Sequence, residues 1–231
     1  MISETCYMCE QPATSREHVP PKCLFPEQKD LEAGQDLRKN LIRVPSCDTH
    51  NQEKSGDDEY LLFALTMSIS NNQTAMTQIQ RKIVRSITRN RSRFDGFARD
   101  PQHVFAVDPS GTAVDTLMVR IDNKRFLKSL DWIARGLFRH QFSRRFNGKC
   151  SLLPDFTLYA GSEDDVKRND IQSGATSYVR PHFDELEQLG DNPEVFRYCF
   201  GDPDERGLIP MRMSFFDGSN VYVAYIPENT A

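Results

Sequence analysis

The chain has 231 residues, 38% of them hydrophobic, and a formal net charge of −4 from 29 basic and 33 acidic side chains. A mean hydropathy of −0.58, with no apolar run near the ~18 residues that a membrane helix needs, excludes such a helix and implies a soluble chain of one or two domains. The stretch Met1-Ile-Ser-Glu-Thr-Cys has no basic and no apolar segment, so no secretory signal is expected and a cytoplasmic location is.

Residues 1–54 carry few apolar side chains and many turn formers, among them Pro12, Pro20, Pro21, Pro26 and Pro45. Such a segment buries little core by itself and needs a metal to fold. Asp30 to Asn40 reads as a polar loop. Asp57 or Asp58 can cap a helix that begins with Tyr60, Leu61, Phe63, Ala64, Met67 and Ile69, and Asn71-Asn72 interrupts it. Met76, Ile79, Ile83 and Ile87 then recur at helical steps, with arginines on the other faces, until about Phe94-Asp95-Gly96. Residues 103–121 read as a hairpin about Asp108-Pro-Ser-Gly111. The clearest helix spans roughly 123–146, with Phe126, Leu130, Ile133, Leu137 and Phe142 on one stripe and Lys128, Arg135 and Arg139 on an opposite side. Beyond Lys149 the pattern is mostly β, at 156–159, 195–200, 209–216 and 220–226, with Asp217-Gly218-Ser-Asn220 as a hairpin turn. The expected fold class is α+β, with an N-terminal metal module at 1–65 and an α+β region at 66–231 that binds substrate, a second copy or another partner.

Two ligand pairs stand in the first module. Cys6-x2-Cys9 and Cys47-x2-His50 are each spaced so that one tight turn aims both side chains at a point, the arrangement that tetrahedral zinc favours. A 37-residue interval separates the pairs and holds Glu17-His18-Val19-Pro20, which a complete zinc site leaves unused. With no secretory signal, metal is a better reading of these cysteines than disulfides. Cys23, Cys150 and Cys199 read as small buried side chains, and His103, His140 and His182 as ordinary histidines.

Taken in order, Cys6/Cys9, Glu17-His18-Val19-Pro20, Asn40-Leu41, Cys47/His50, Asn51 and Lys54 resemble the HNH (His-Asn-His) endonuclease family with its ββα-metal active site. The matching stretch covers about residues 6–54. The resemblance implies that His18 is the general base, suited to the task by a pKa near operating pH. It implies that Glu17 and Asn51 hold a catalytic Mg²⁺ or Mn²⁺ through hard oxygen donors. Asn40 corresponds to the middle Asn, which braces the loop bearing the base, while Lys54 either contacts phosphate or simply covers the helix. The last catalytic position is Asn51 where the family name has His. A second register stays open, in which His50 is catalytic and zinc takes Cys6, Cys9, Cys47 and Cys23.

Net charge hides two basic windows. Residues 81–99 and 124–149 hold 15 of the 29 basic side chains, against Asp95 and Asp131 alone. Such a face attracts phosphate whatever the overall charge, and Lys54, Lys128, Arg135 and Arg139 are the candidate nucleic-acid contacts. The expected function is a metal-dependent endonuclease that hydrolyses phosphodiester bonds, with DNA favoured as substrate. One site cuts one strand, so a homodimer or a protein partner through the C-terminal region is open. The family's small stand-alone members suggest a role in antiviral defence or mobile elements. Two alternatives stand beside it: a non-catalytic zinc-knuckle adaptor for nucleic acid or protein, and an RNA-cleaving toxin.

Overall fold

The computed structural model describes residues 4–89, 97, 99–108 and 110–228, with 53–55 described by backbone alone. The chain is mixed α+β with antiparallel sheets. β1 (Ser15–His18) and β2 (Arg43–Ser46) form a two-stranded ribbon in the register Ser15↔Ser46, Glu17↔Val44 and His18↔Arg43. α1 (Asp48–Ser55) follows β2 almost directly, with Asp48 in its first turn, where a carboxylate suits the helix dipole. Between the strands the chain makes two short 3-10 turns, Lys22–Leu24 and Gln28–Asp30.

α2 (Asp58–Thr66) buries every residue from Tyr60 to Thr66, so it is an interior helix rather than an amphipathic one. Asp57 precedes it without capping by its side chain. That carboxylate instead accepts from Arg125 Nε at 2.5 Å. Asn72 caps α3 (Gln73–Gln78) by accepting from the backbone of Thr74 and Ala75. A π-helical stretch, Ile79–Ile83, carries α3 into α4 (Val84–Arg89). The expected end of this basic stretch, at 94–96, lies outside the described residues. β3 (Arg99–Val107) and β4 (Ala113–Arg120) make the expected hairpin as a separate antiparallel ribbon.

α5 (Asn123–Phe142) is capped by Asp122, which accepts from Arg125 N. It stops short of the expected residue 146 because Ser143 turns left-handed (φ 54°). Arg139 Nη1 closes that turn on Ser143 O at 2.5 Å, and Phe146 then returns to pack on Phe138 and Tyr225. Next comes a five-stranded antiparallel sheet of order β5-β9-β8-β7-β6, built from β5 (Gly148–Pro154), β6 (Leu189–Asn192), β7 (Phe196–Phe200), β8 (Ile209–Phe215) and β9 (Ser219–Pro227).

Two expectations for this half are corrected. No strand occupies 156–159, because Gln172 Nε2 binds the carbonyls of Pro154 and Thr157 at 2.9 and 2.7 Å and draws the chain off the sheet. That glutamine belongs to α6 (Glu163–Asp184), a helix the apolar pattern does not announce. Its buried positions are Asp165, Gln172, Thr176 and Phe183, three of them polar, so no hydrophobic period exists to read. The legible signal is the capping box of Ser162 and Asp165.

One apolar cluster runs from Cys6, Tyr7 and Val44 through Leu61, Leu130 and Leu137 to Met213, Val223 and Tyr225. Residues on both sides of position 65 share it. α5 is the bridge. Gly136 passes so close to Val19 that a Cβ there would lie 2.6 Å from Val19 Cγ2, while the neighbouring Ala134 carbonyl accepts from Tyr225 Oη at 2.6 Å. Among the described residues no helix is long and apolar enough to cross a membrane.

Candidate metal centre and its surroundings

The first ligand pair sits in a tight turn. Cys6 N donates to Gln11 O at 2.9 Å and Met8 N to Cys6 Sγ at 3.4 Å, which curls residues 6–9 into a knuckle. The second pair spans a strand end and a helix start: Cys47 follows β2 and His50 lies in the first turn of α1. The pairing of Ser15 with Ser46 holds the two halves together.

The four ligand atoms all lie within 4.8 Å of one another. Cys9 Sγ and Cys47 Sγ are 3.8 Å apart, and His50 Nδ1 is 3.7, 3.6 and 3.2 Å from the sulfurs of Cys6, Cys9 and Cys47. A tetrahedron with Zn–S of ~2.3 Å and Zn–N of ~2.1 Å has edges of about 3.6–3.8 Å, so the separations suit one ion at the centre. They are far too long for a disulfide, and all six cysteines are free. Cys23 stands apart, with its thiol donating to Asp58 O at 3.3 Å. It is His50, and not Cys23, that completes the three sulfurs. Cys6, Cys9, Cys47 and His50 could therefore hold a metal ion such as zinc.

Electrostatics favour a thiolate at one corner. A hydrogen bond from the His50 backbone draws the Cys47 thiol down to about 7, outweighing the opposing effect of burial. Cys9 moves the other way, raised first by burial and then by its neighbouring sulfurs. Cys47 is thus the readier of the two to meet a cation as a thiolate.

Around the centre the sequence-derived residues fall into distinct places. Successive strand residues face opposite ways, so Glu17 and His18 look to different sides of the β1–β2 ribbon. Glu17 points inward and is 8% exposed. Its Oε1 accepts from Tyr7 Oη at 3.2 Å and its Oε2 from Ser46 Oγ at 3.4 Å. Burial and the Glu17 charge hold the Tyr7 phenol well above its ordinary value, which keeps it a donor. Asn51, on α1, donates to Ser15 Oγ at 3.2 Å, on the same inward face as Glu17. His18 ends β1 and is half-buried on the outward face, where Arg43 Nε donates to its Nε2 at 3.3 Å. Asn40 sits left-handed (φ 50°), a conformation that Asn tolerates, and turns the chain toward β2. Val19 N then donates to Ile42 O at 3.0 Å, tying the end of β1 to the approach of β2.

No family model matches the chain, and no curated protein or solved structure matches it.

The expected nucleic-acid contacts divide. The Lys54 side chain lies outside the described residues. Lys128 is exposed, with Nζ 4.8 Å above the Trp132 ring. Arg135 instead turns its donors inward, to Asp131 at 2.9 Å, Phe146 O at 3.3 Å and Gly148 O at 3.0 Å, and Arg139 secures the end of α5. In the other window, Lys82 binds Cys23 O at 2.7 Å and Arg85 grips Asp30 with two bonds of 2.6 Å. Arg91 and Arg93 lie outside the described residues. Much of the basic charge thus locks the fold together, a role that composition alone does not disclose.

Sequence reasoning also passed over Tyr7, Ser46, Arg43 and Trp132. Trp132, the only tryptophan in the chain, is 5% exposed and meets the His50 ring edge-on at 6.3 Å. It lies on the side of α5 that carries Lys128 and Arg139, away from the apolar stripe, and that this side would face His50 was not legible.

Proposed function

We propose that this protein is a metal-dependent HNH-type endonuclease that hydrolyses phosphodiester bonds in nucleic acid, with DNA the first substrate to test. The observation that carries the reading is the β1–β2–α1 unit, which sets Glu17-His18 on the strand next to the helix pinned by Cys47 and His50. A metal knuckle used only as a staple has no need of a carboxylate buried against Tyr7 and Ser46, nor of an imidazole on the outward face beside it.

In this reading zinc at Cys6, Cys9, Cys47 and His50 holds structure. Glu17 and Asn51, both hard oxygen donors, would hold a Mg²⁺ or Mn²⁺ ion that neutralises charge at a phosphate lying at the ribbon edge, where both the ion and His18 could reach it. His18 takes the proton of the attacking water. Asn40 sets the backbone turn that leads into β2. Lys128 and Lys54 are proposed phosphate contacts outside the catalytic residues, and the region 66–231 is proposed to bind substrate, a second copy or a partner.

The test is cleavage of supercoiled plasmid by purified protein with Mg²⁺ or Mn²⁺, beside His18→Ala. A lost general base lowers the rate by about 10²–10⁴-fold. Equal cutting by both proteins, or none with any divalent ion, would sink the assignment and leave the zinc-knuckle adaptor. A single-stranded RNA arm separates DNA cleavage from RNA cleavage.

A further inference from the structure

Arg43 stands directly across the ribbon from His18, its register partner. Arginine has donors only, so the His18 Nε2 that receives Arg43 Nε at 3.3 Å must be the nitrogen without a proton. The ring proton is therefore on Nδ1. The lone pair that a general base would use is the one that Arg43 covers. Arg43 itself is exposed, and among the described residues its guanidinium makes this one hydrogen bond. Arg16, on the same outward face, is by contrast engaged by Glu4 at 2.7 Å.

We propose that Arg43 is a phosphate-binding residue that caps His18 in the free protein and uncovers it when a phosphodiester takes the guanidinium. This rests on the endonuclease reading of the same site. A planar fork of donors matches a phosphate with two parallel charge-assisted bonds, which are about twice as strong as bonds between neutral groups. An arriving phosphate therefore outcompetes the single bond to a neutral imidazole. Because Arg43 already touches the ring, a phosphate on its fork lies beside the nitrogen that has just been freed. In the step that follows, the water oxygen bonds to phosphorus as the bond from phosphorus to the leaving oxygen breaks. His18 Nε2 accepts the water proton, and the leaving oxygen takes a proton from solvent. The base is thus uncovered only when its substrate is in place.

A plain cross-strand pair would show none of this, and Arg43→Gln and Arg43→Lys separate the two. Binding of a labelled DNA duplex is measured by anisotropy across a salt series, on zinc-loaded full-length protein without Mg²⁺ or Mn²⁺. Arg43→Gln is expected to bind roughly tenfold more weakly, the loss of about one charged hydrogen bond. The slope of log affinity against log salt should fall by about 1. Arg43→Lys should keep the slope, since the charge remains, yet lose several-fold in turnover because the fork is gone. Metal content and thermal unfolding of both variants should match the parent protein. Wild-type affinity, slope and turnover in both variants, or a wild-type protein that binds no duplex, overturns the proposal. Failure of the endonuclease reading looks different: His18→Ala cuts as fast as wild type, or neither cuts, while the dependence of binding on Arg43 persists.

Discussion

The ribbon-and-helix unit around the metal ligands and the five-stranded sheet beyond α5 are held together by different physics. The first lends only a few side chains, such as Tyr7, Val19 and Val44, to the shared apolar cluster, and adds four potential metal ligands within 4.8 Å of one another and polar contacts such as Tyr7–Glu17 and Ser46–Glu17. The second is a conventional core, with Phe196, Met211, Met213, Phe215, Val221, Val223 and Tyr225 all buried. A region stabilised by an ion can be dismantled by removing the ion. One stabilised by burial yields only to loss of volume. α5 touches both, with Trp132 on His50 and Phe138 on Tyr225, so the contrast can be probed from either end.

The largest effect is expected at the metal. Binding of a structural zinc ion contributes ~10–16 kcal/mol in small zinc modules near neutral pH. Cys47→Ala, or chelation of the native protein, should therefore empty the centre and unfold the N-terminal unit. The emission of the lone Trp132, buried against His50, should shift to the red as its cover is lost. Retention of stoichiometric zinc by Cys47→Ala would break the comparison at its root.

A smaller effect is expected on the hydrocarbon side. Phe138 is fully buried and packs on Phe142, Phe146 and Tyr225. Phe138→Ala should cost about 3–5 kcal/mol, seen as a lower midpoint of thermal or urea unfolding, with zinc content unchanged at 25 °C. Loss of zinc on this substitution would mean that the two regions are one cooperative unit, and that the contrast between them is only local.

The smallest concerns the polar seam between the loop before β2 and α4. Asp30, 4% exposed in its side chain, is held below the usual carboxylate range chiefly by its hydrogen bonds to Arg85. A carboxylate depressed in the folded state adds stability above its unfolded pKa of ~3.9, and loses it as pH falls through the folded value. Arg85 is 36% exposed, so solvent screening limits the pair to about 1 kcal/mol. Asp30→Asn should unfold slightly earlier at pH 7 and show a flatter stability profile between about pH 5 and 2. An identical profile for the two proteins would remove this pair from the stabilising contacts.

Features that depend on neighbours in sequence were legible beforehand. The ligand pairs, the 103–121 hairpin, the turn between β8 and β9 and most of α5 announce themselves because a tight turn, a strand or an amphipathic helix is set by local spacing. α6 was not legible, because its inward face is Asp165, Gln172 and Thr176 and only the contacts of Gln172 with Pro154 and Thr157 show what that face is for. Nor could composition tell which arginines are bound inward. Arg135 sits on the outer side of a helical wheel, yet the chain after α5 folds back and supplies the carbonyls of Phe146 and Gly148 to it.

The sequence by itself determined the chemistry of the parts: three thiols and an imidazole in two tight pairs, and a Glu-His dipeptide between them. Each side chain carries its own donor atoms, and a two-residue spacing converges two of them without help from the rest of the chain. Tertiary structure alone decided which parts meet. Antiparallel pairing of β1 with β2 closed the 37-residue interval around a common centre, turned Glu17 inward toward Tyr7, and set Arg43 over His18. Those meetings depend on strand register and on the burial of α5 against both regions, and these are properties of the whole packed chain rather than of any stretch of it.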